Sequence, residues 1–469
     1  MTQEAVPTIP ETPQSLTVQA AKLLASTTKT PPQMQSITSR WLLRTLPWVD
    51  VPGGTYRVNR RATVLPGRGR VEFDQRGHDV RIIPATLSEL PGLKGYRDLA
   101  VLERLAALFI PVQVTQGQVL AEEGDPITKV FVIAHGRIER IAASSYGTPY
   151  FLPVVTDGDQ IGDEAVGVAD PRWSATLRCA TPGMVMQLDW AAFSALHDAV
   201  PSLREHLAEF ARKRALKANR KGEAAIEMSA GHRGETTIPG TYVQYDLSPR
   251  EYELSATETV LHVHKRVRDL YSHPMNQLEQ QLRLTVEEIR ETQEYEMVNS
   301  PDFGLLAQTA YEQRISTRSG PPTPSDMDEL LTRQRSTDAF YAHPRAIAAF
   351  LHECNKRGVT IGEHFPEGRS KPLPAWRGVP IYPLSKIPVT DQSTTTIISM
   401  RHGEETQGTV GLHHTGLPDE YEPSLNVTFM GVSEKAILSY LVSAYYSLAI
   451  LTPDGASLLE NVQLGAQGD

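Results

Sequence analysis

Histidines, cysteines and one basic run are the residues best suited to chemistry, and their spacing decides what each can do. His262 and His264 stand two apart, which on a strand would aim both imidazoles to one side, as a metal pair needs. Ser255-Ala256-Thr257-Glu258, just upstream, has the form of a capping box, whose hydroxyl and carboxylate satisfy the free N–H groups of a helix start. That reading predicts a helix, where positions two apart diverge by about 200°, so the pair would not share a metal. His413-His414 lies in a glycine-rich segment and reads as a loop pair, or as one buried and one exposed ring. Cys354 falls near Ala348, Phe350 and Leu351 on an amphipathic pattern, the setting of a core thiol rather than a nucleophile. The basic run from Arg212 to Lys221 reads as a solvated helix end and linker. No GxSxG, P-loop, HExxH or paired-carboxylate arrangement occurs. The expectation is a protein with no catalytic or metal residues, and not an enzyme.

Bulk composition narrows the class further. The chain has 469 residues, enough for two or three domains. Lys plus Arg number 46 against 55 Asp plus Glu, a formal charge of −9. A mildly acidic chain gains little from phosphate backbones, so no nucleic-acid partner is expected. Two distant cysteines, Cys179 and Cys354, make neither a disulfide framework nor a zinc set and fit a reducing compartment. The N-terminal MTQEAVPTIPETPQSL lacks the basic and apolar regions of a signal peptide. Ala436 to Leu451 is too short and too interrupted for a bilayer span, and is expected to be a buried helix. The reading is a cytoplasmic protein with no membrane partner.

The elements that would position these residues follow from patterning. Residues 1–16 are proline-rich and read as extended. Helical runs are expected at Leu16–Ser26 and Met34–Leu46. TYRVNRRATV alternates like a strand with two unlike faces, and RVEFDQRGHDVRII reads as strand, turn near Arg76-Gly77, strand. The charge on these strands suggests an exposed or intersubunit ribbon. Short glycine-punctuated strands follow, between a helix at Leu99–Leu108 and a helical run from Trp190 to Lys217. TYVQYDLSPREYELS alternates again and reads as the return leg of the ribbon. Helices are expected from Ser255 through Val260, Val263, Val267, Leu270 and Tyr271 to Pro274, and from Asn276 to Val298. A mixed region ends the chain, with helices near 326–341 and 344–357 and strands near 379–382, 395–400 and 425–430.

Glu123-Gly124-Asp125, Val130 to Ile133, Gly136-Arg137-Ile138 and Asp157 to Gly162 give hairpins in an order that resembles the cyclic-nucleotide-binding domain family. The resemblance implies a β-roll with a phosphate-binding cassette. In that family a glycine and its neighbours point N–H groups at the cyclic phosphate, an arginine adds a charge-assisted bond, and a glutamate accepts from the ribose. The matching residues are Gly162, Asp163, Glu164 and Ala165, then Arg172, Trp173, Ser174 and Ala175. Asp163 stands where glutamate is usual, and Trp173 stands at the phosphate arginine, with Arg172 one position early. cAMP or another small ligand is the implied cofactor, weakened by that displaced arginine; a purely structural β-roll is the alternative.

The remaining segments carry a second resemblance. TTKTPPQMQSITSRWLLRTLPWVDVPGGTYRVNRR, DAFYAHPRAIAAFLHECNKRGV, WRGVPIYPLSKIPV, MRHGEETQGTVGLHHTGLPDE and PSLNVTFMGVSEKAILSYLVSAYYSLAILTPD are similar to family 2 encapsulin shell proteins. An inserted cyclic-nucleotide-like domain points to the 2B subgroup. The resemblance implies an α+β, HK97-like phage-capsid fold, divided as N-arm 1–50, E-loop first leg 51–85, inserted domain 86–222, E-loop return leg 223–255, and P- and A-domains 256–469. It further implies a homo-oligomeric icosahedral shell of on the order of 60 copies around a cargo enzyme, possible classes being a terpene cyclase or a polyprenyl transferase. The rival reading, a cyclic-nucleotide-responsive regulatory or transcription protein, requires a helix-turn-helix after the β-roll. The sequence there gives a linker and a strand instead.

Overall fold

The computed structural model describes residues 17, 19–20, 30–64, 67–76, 79–144, 147–165, 168, 170–216, 218–219, 221–231, 237–266, 268, 275–318, 320–368 and 370–465. The turn residue Gly77, most of the Leu16–Ser26 run, and Val267, Leu270, Tyr271 and Pro274 lie outside these residues.

Two large sheets make the body. In the first, the strand Ile437–Ile450 is central: Ser255–His264 pairs along one edge, and Leu425–Val432 and Thr409–His413 follow one another along the other. Both Ser255–His264 and Ile437–Ile450 read as helices from sequence, and both are strands. Thr257, Thr259, Val260 and Val263 are β-branched, which favours the pleated backbone over the helix that Ser255 and Glu258 suggested. Their pairing runs unbroken from Ser255 opposite Tyr446 to His264 opposite Ile437. Ile437–Ile450 is buried or half-buried on both faces along its whole length, so its sequence lacks the alternation that announces a half-exposed strand.

A 23-residue helix, Gln277–Asn299, crosses this sheet as a spine. Asn276 caps its start by accepting from the N–H groups of Leu278 and Glu279. Val286, Ile289, Met297 and Val298 bury against Ala444, Tyr446, Leu448 and the arm residue Leu42. The helical run expected over Met34–Leu46 is confined to Trp41–Thr45. The second sheet has seven strands, ordered 314–316, 456–463, 394–400, 339–342, 379–383, 373–376 and 362–364. Helices Pro324–Arg333 and Pro344–Lys356 pack on it, and Cys354 is fully buried in that core.

The two legs of the ribbon run antiparallel. Thr55–Val58 pairs with Arg250–Glu253, and the pairing continues through Ala62 N–H to Gln244 O (2.9 Å) and Val64 N–H to Gly222 O (2.8 Å). Between the legs lies the inserted domain. Two four-stranded sheets form its β-roll, one ordered 160–161, 129–135, 183–189, 110–114 and the other 119–121, 176–179, 138–143, 149–155. The expected single helical run after the roll is two helices, Trp190–Ala199 and Pro201–Arg214, separated at Val200 where the next proline breaks the helix. The hairpin Phe73–Arg76 and Asp79–Ile82, read as part of the first leg, joins the insert instead. Val71, Val80 and Ile82 bury with Leu87, Leu102 and Leu203 in its helical layer.

Candidate functional site

The cassette begins where the strand Gln160–Ile161 ends. Gly162 has φ 101°, and a Cβ there would come within 2.9 Å of Lys129 O and 3.2 Å of the Trp173 ring. Only glycine fits both the conformation and the space. Asp163, Glu164 and Ala165 then make a single 3₁₀ turn. The second half of the cassette is held by the turn at Gly124-Asp125: Trp173 N–H donates to Asp125 O (2.9 Å) and Gly124 N–H donates to Trp173 O (2.8 Å).

That pairing fixes which side chain enters the roll. The indole of Trp173 turns inward, stacks on Phe131 with centroids 6.1 Å apart, and joins Ile161, Ala165 and Leu177 in the interior core. Arg172, its neighbour, turns to solvent, as alternation along an extended chain requires. Its guanidinium binds Asp170 at 3.1 Å and donates to Gly124 O at 3.0 Å. Ser174 is exposed and Ala175 buried. The structure therefore brings Gly162 and Trp173 together, and engages Arg172 with Asp170 and the Gly124 carbonyl. The ring that stands at the phosphate-arginine position in sequence is buried inside the roll.

Asp163 faces out of the roll, toward the shell body. It meets Arg68 at 3.4 Å, and Arg68 N–H donates to Glu312 at 2.6 Å. Arg70 reaches Glu460, which Arg314 also binds at 3.0 Å, and stacks 5.5 Å over Tyr311. Burial pushes the nearby Asp159 carboxyl up to about 6, against the opposing pull of the Thr156 N–H and Arg70. These contacts seat the insert on strands 314–316 and 456–463. Sequence reading missed all of them, because the partners lie up to 390 positions apart and no local pattern marks them.

The remaining candidates resolve simply. With Ser255–His264 a strand, His262 and His264 do share a face, but His262 Nδ1 bonds Ser439 Oγ (3.0 Å) and His264 Nδ1 accepts from Arg266 N–H. Among the described residues no group of three or more His, Cys, Asp or Glu could hold a metal ion. His413 stacks on Trp48 at 5.3 Å, and burial lowers its pKa. No helix among the described residues is long and apolar enough to cross a membrane. After the helix Pro201–Arg214 the chain enters the return leg, where a transcription factor would need its DNA-reading helices.

Comparison with known proteins accounts for both parts. Residues 111–199 match the cyclic nucleotide-binding domain family, and residues 211–466 match the family described as "Type 2A encapsulin shell protein SrpI-like". The SrpI shell protein of Synechococcus elongatus is 47% identical over 245 residues, covering 52% of this chain and 79% of that protein. A type 2A shell protein of Mycolicibacterium paratuberculosis is 46% identical over 247 residues, covering 51% and 78%. The cryo-EM structure of the holo-SrpI encapsulin complex from Synechococcus elongatus superposes with a TM-score of 0.55 at 29% identity, covering 97% of this chain and 99% of that one. These descriptions read type 2A, where the inserted domain had suggested 2B. The chain is an HK97-like shell protein with an inserted β-roll, and it belongs to the SrpI-like family of encapsulin shell proteins.

Proposed function

We propose that this shell encloses a cargo enzyme in the cytoplasm, and that the inserted domain stands on its outer surface as a structural or partner-binding module. One observation carries the assembly reading. The return leg leaves Ile238, Tyr242, Tyr245 and Leu247 between 71% and 99% exposed, a run of apolar surface that a soluble monomer does not keep bare. A neighbouring copy would cover it, and heterologous contacts of this kind close into a shell at fixed rotations, the smallest icosahedral form holding on the order of 60 copies. Negative-stain microscopy tests this: uniform hollow particles are expected, and a dimer-sized species at every concentration would sink it.

The outward position follows from the insert sitting at an E-loop, where it can project without crowding the lumen. Protease digestion of intact shells should cut exposed loops of the insert; complete protection would place it inside. The cargo classes that the resemblance implies, a terpene cyclase or a polyprenyl transferase, are tested by mass spectrometry of shells purified from the native cell. The chain's own role is structural, with no chemistry of its own. Trp173 in place of the phosphate arginine supports weak or absent cAMP binding. Calorimetric titration should give no heat of binding, and micromolar affinity lost in Arg172→Ala would overturn this.

A further inference from the structure

The N-terminal arm lies along the spine helix, and three carboxylates hold it there. Glu287, Glu291 and Glu294 are spaced four and three apart, so they share one helix face. Glu291 is 3% exposed and Glu294 1%. Arg40 pairs with Glu287 at 2.6 Å and approaches Glu291 at 3.7 Å. Glu291 also accepts from Thr38 N–H (2.8 Å) and Thr38 Oγ1 (3.0 Å), and pairs with Lys386 at 2.8 Å. Glu294 is different. Its Oε1 accepts from Leu42 N–H at 3.0 Å and its Oε2 lies 3.4 Å from Thr38 Oγ1, with no direct ion pair among the described residues.

The Leu42 N–H is one of the donors that a helix start leaves without an internal partner. Arg40, at the cap position of the helix Trp41–Thr45, provides no side-chain bond, so a carboxyl 252 positions away does the capping. Lys386 and Arg40 are the cations paired with Glu291, and Arg290 acts on Glu287 at the far end of the row. Behind Glu294 stands Tyr341, fully buried and bonded to Thr45 and to His402 Nε2 (3.1 Å), a ring whose pKa burial lowers against the pull of Asp338. Asp338, which accepts from His402 N–H at 2.7 Å, adds a further negative charge on that side.

We propose that Glu294 is a proton-dependent latch: in its protonated form it holds the arm on the spine helix, and on ionisation beside Glu291 it loosens it. Burial, with the charge of Glu291, pushes the Glu294 carboxyl up to about 7, against the Leu42 N–H and Lys386. Glu291 moves the other way; burial opposes its charge, but Lys386 and Thr38 outweigh that and hold it below the usual carboxylate range. Released into water, Glu294 would return to an ordinary glutamate value. The docked state therefore keeps a proton that the released state gives up. The proton-linked part of docking is complete below the released value and is lost as pH rises through about 7.

Hydrogen exchange on assembled shells tests this, with rates corrected for the intrinsic effect of pH. Protection of the Leu42 amide should fall roughly tenfold or more between about pH 6 and about pH 8.5. Glu294→Gln, which keeps an acceptor without the charge, should abolish that fall. The same fall in Glu294→Gln, or flat protection in the unmodified shell, would overturn the latch. Should Glu294→Gln not assemble, Lys386→Met provides a second readout. Removing that cation should move the midpoint to higher pH, and an unmoved midpoint would count against the proposal.

Discussion

The indole of Trp173 stacks on Phe131 and closes on the Gly162 turn. Its replacement by alanine should leave a cavity in the interior core and cost about 3–5 kcal/mol, read as a lower melting temperature of the insert. Arg172→Ala, by contrast, removes an exposed pair with Asp170 and a bond to Gly124 O and should lower the melting temperature far less, since exposed pairs contribute about 0–1 kcal/mol. At this scale the sequence was half legible. Gly162 and the Ser174-Ala175 pair could be placed, and the tryptophan at the arginine position was visible. The direction of its ring was not, because that is set by the hydrogen bonds of residue 173 to the distant turn at Gly124-Asp125.

Elements were readable where one face meets water and obscure where neither does. The spine helix alternates buried and polar residues at helical spacing, and its expected and observed limits differ by a residue. Ile437–Ile450 hides its nature because both of its faces are covered, every residue being buried or half-buried. Ser255–His264 shows that a four-residue capping signature is weaker than a run of β-branched residues beside a long partner strand. The seam between insert and shell body belongs to this scale too. Glu460 binds both Arg70 and Arg314, so Glu460→Ala should free the segment that carries Arg68 and Arg70. Trypsin should then cut there in assembled shells several-fold faster than in the parent protein. Equal rates would mean that packing alone seats the insert.

Across the whole molecule, the capsid architecture was legible because its resemblance is spread over both large sheets. The insert's true extent was not, since the charged hairpin at 73–82 hides the few apolar residues that bury it. Assembly should depend on the return leg. Tyr242 and Leu247 are 95% and 99% exposed in the single chain, so Tyr242→Asp with Leu247→Asp should leave folding intact and shift the protein from shells to small species. Light scattering and circular dichroism measure the two effects separately.

The hydrogen bond from Val64 to Gly222 closes the base of the insert. Chain enters and leaves that domain side by side, so everything beyond the rung is topologically a bead on a loop. A capsid gene could acquire or shed such a bead by a single in-frame exchange, with the legs keeping their register throughout. The same point is a grafting port: another domain whose ends lie as close together could take its place without rerouting the capsid chain.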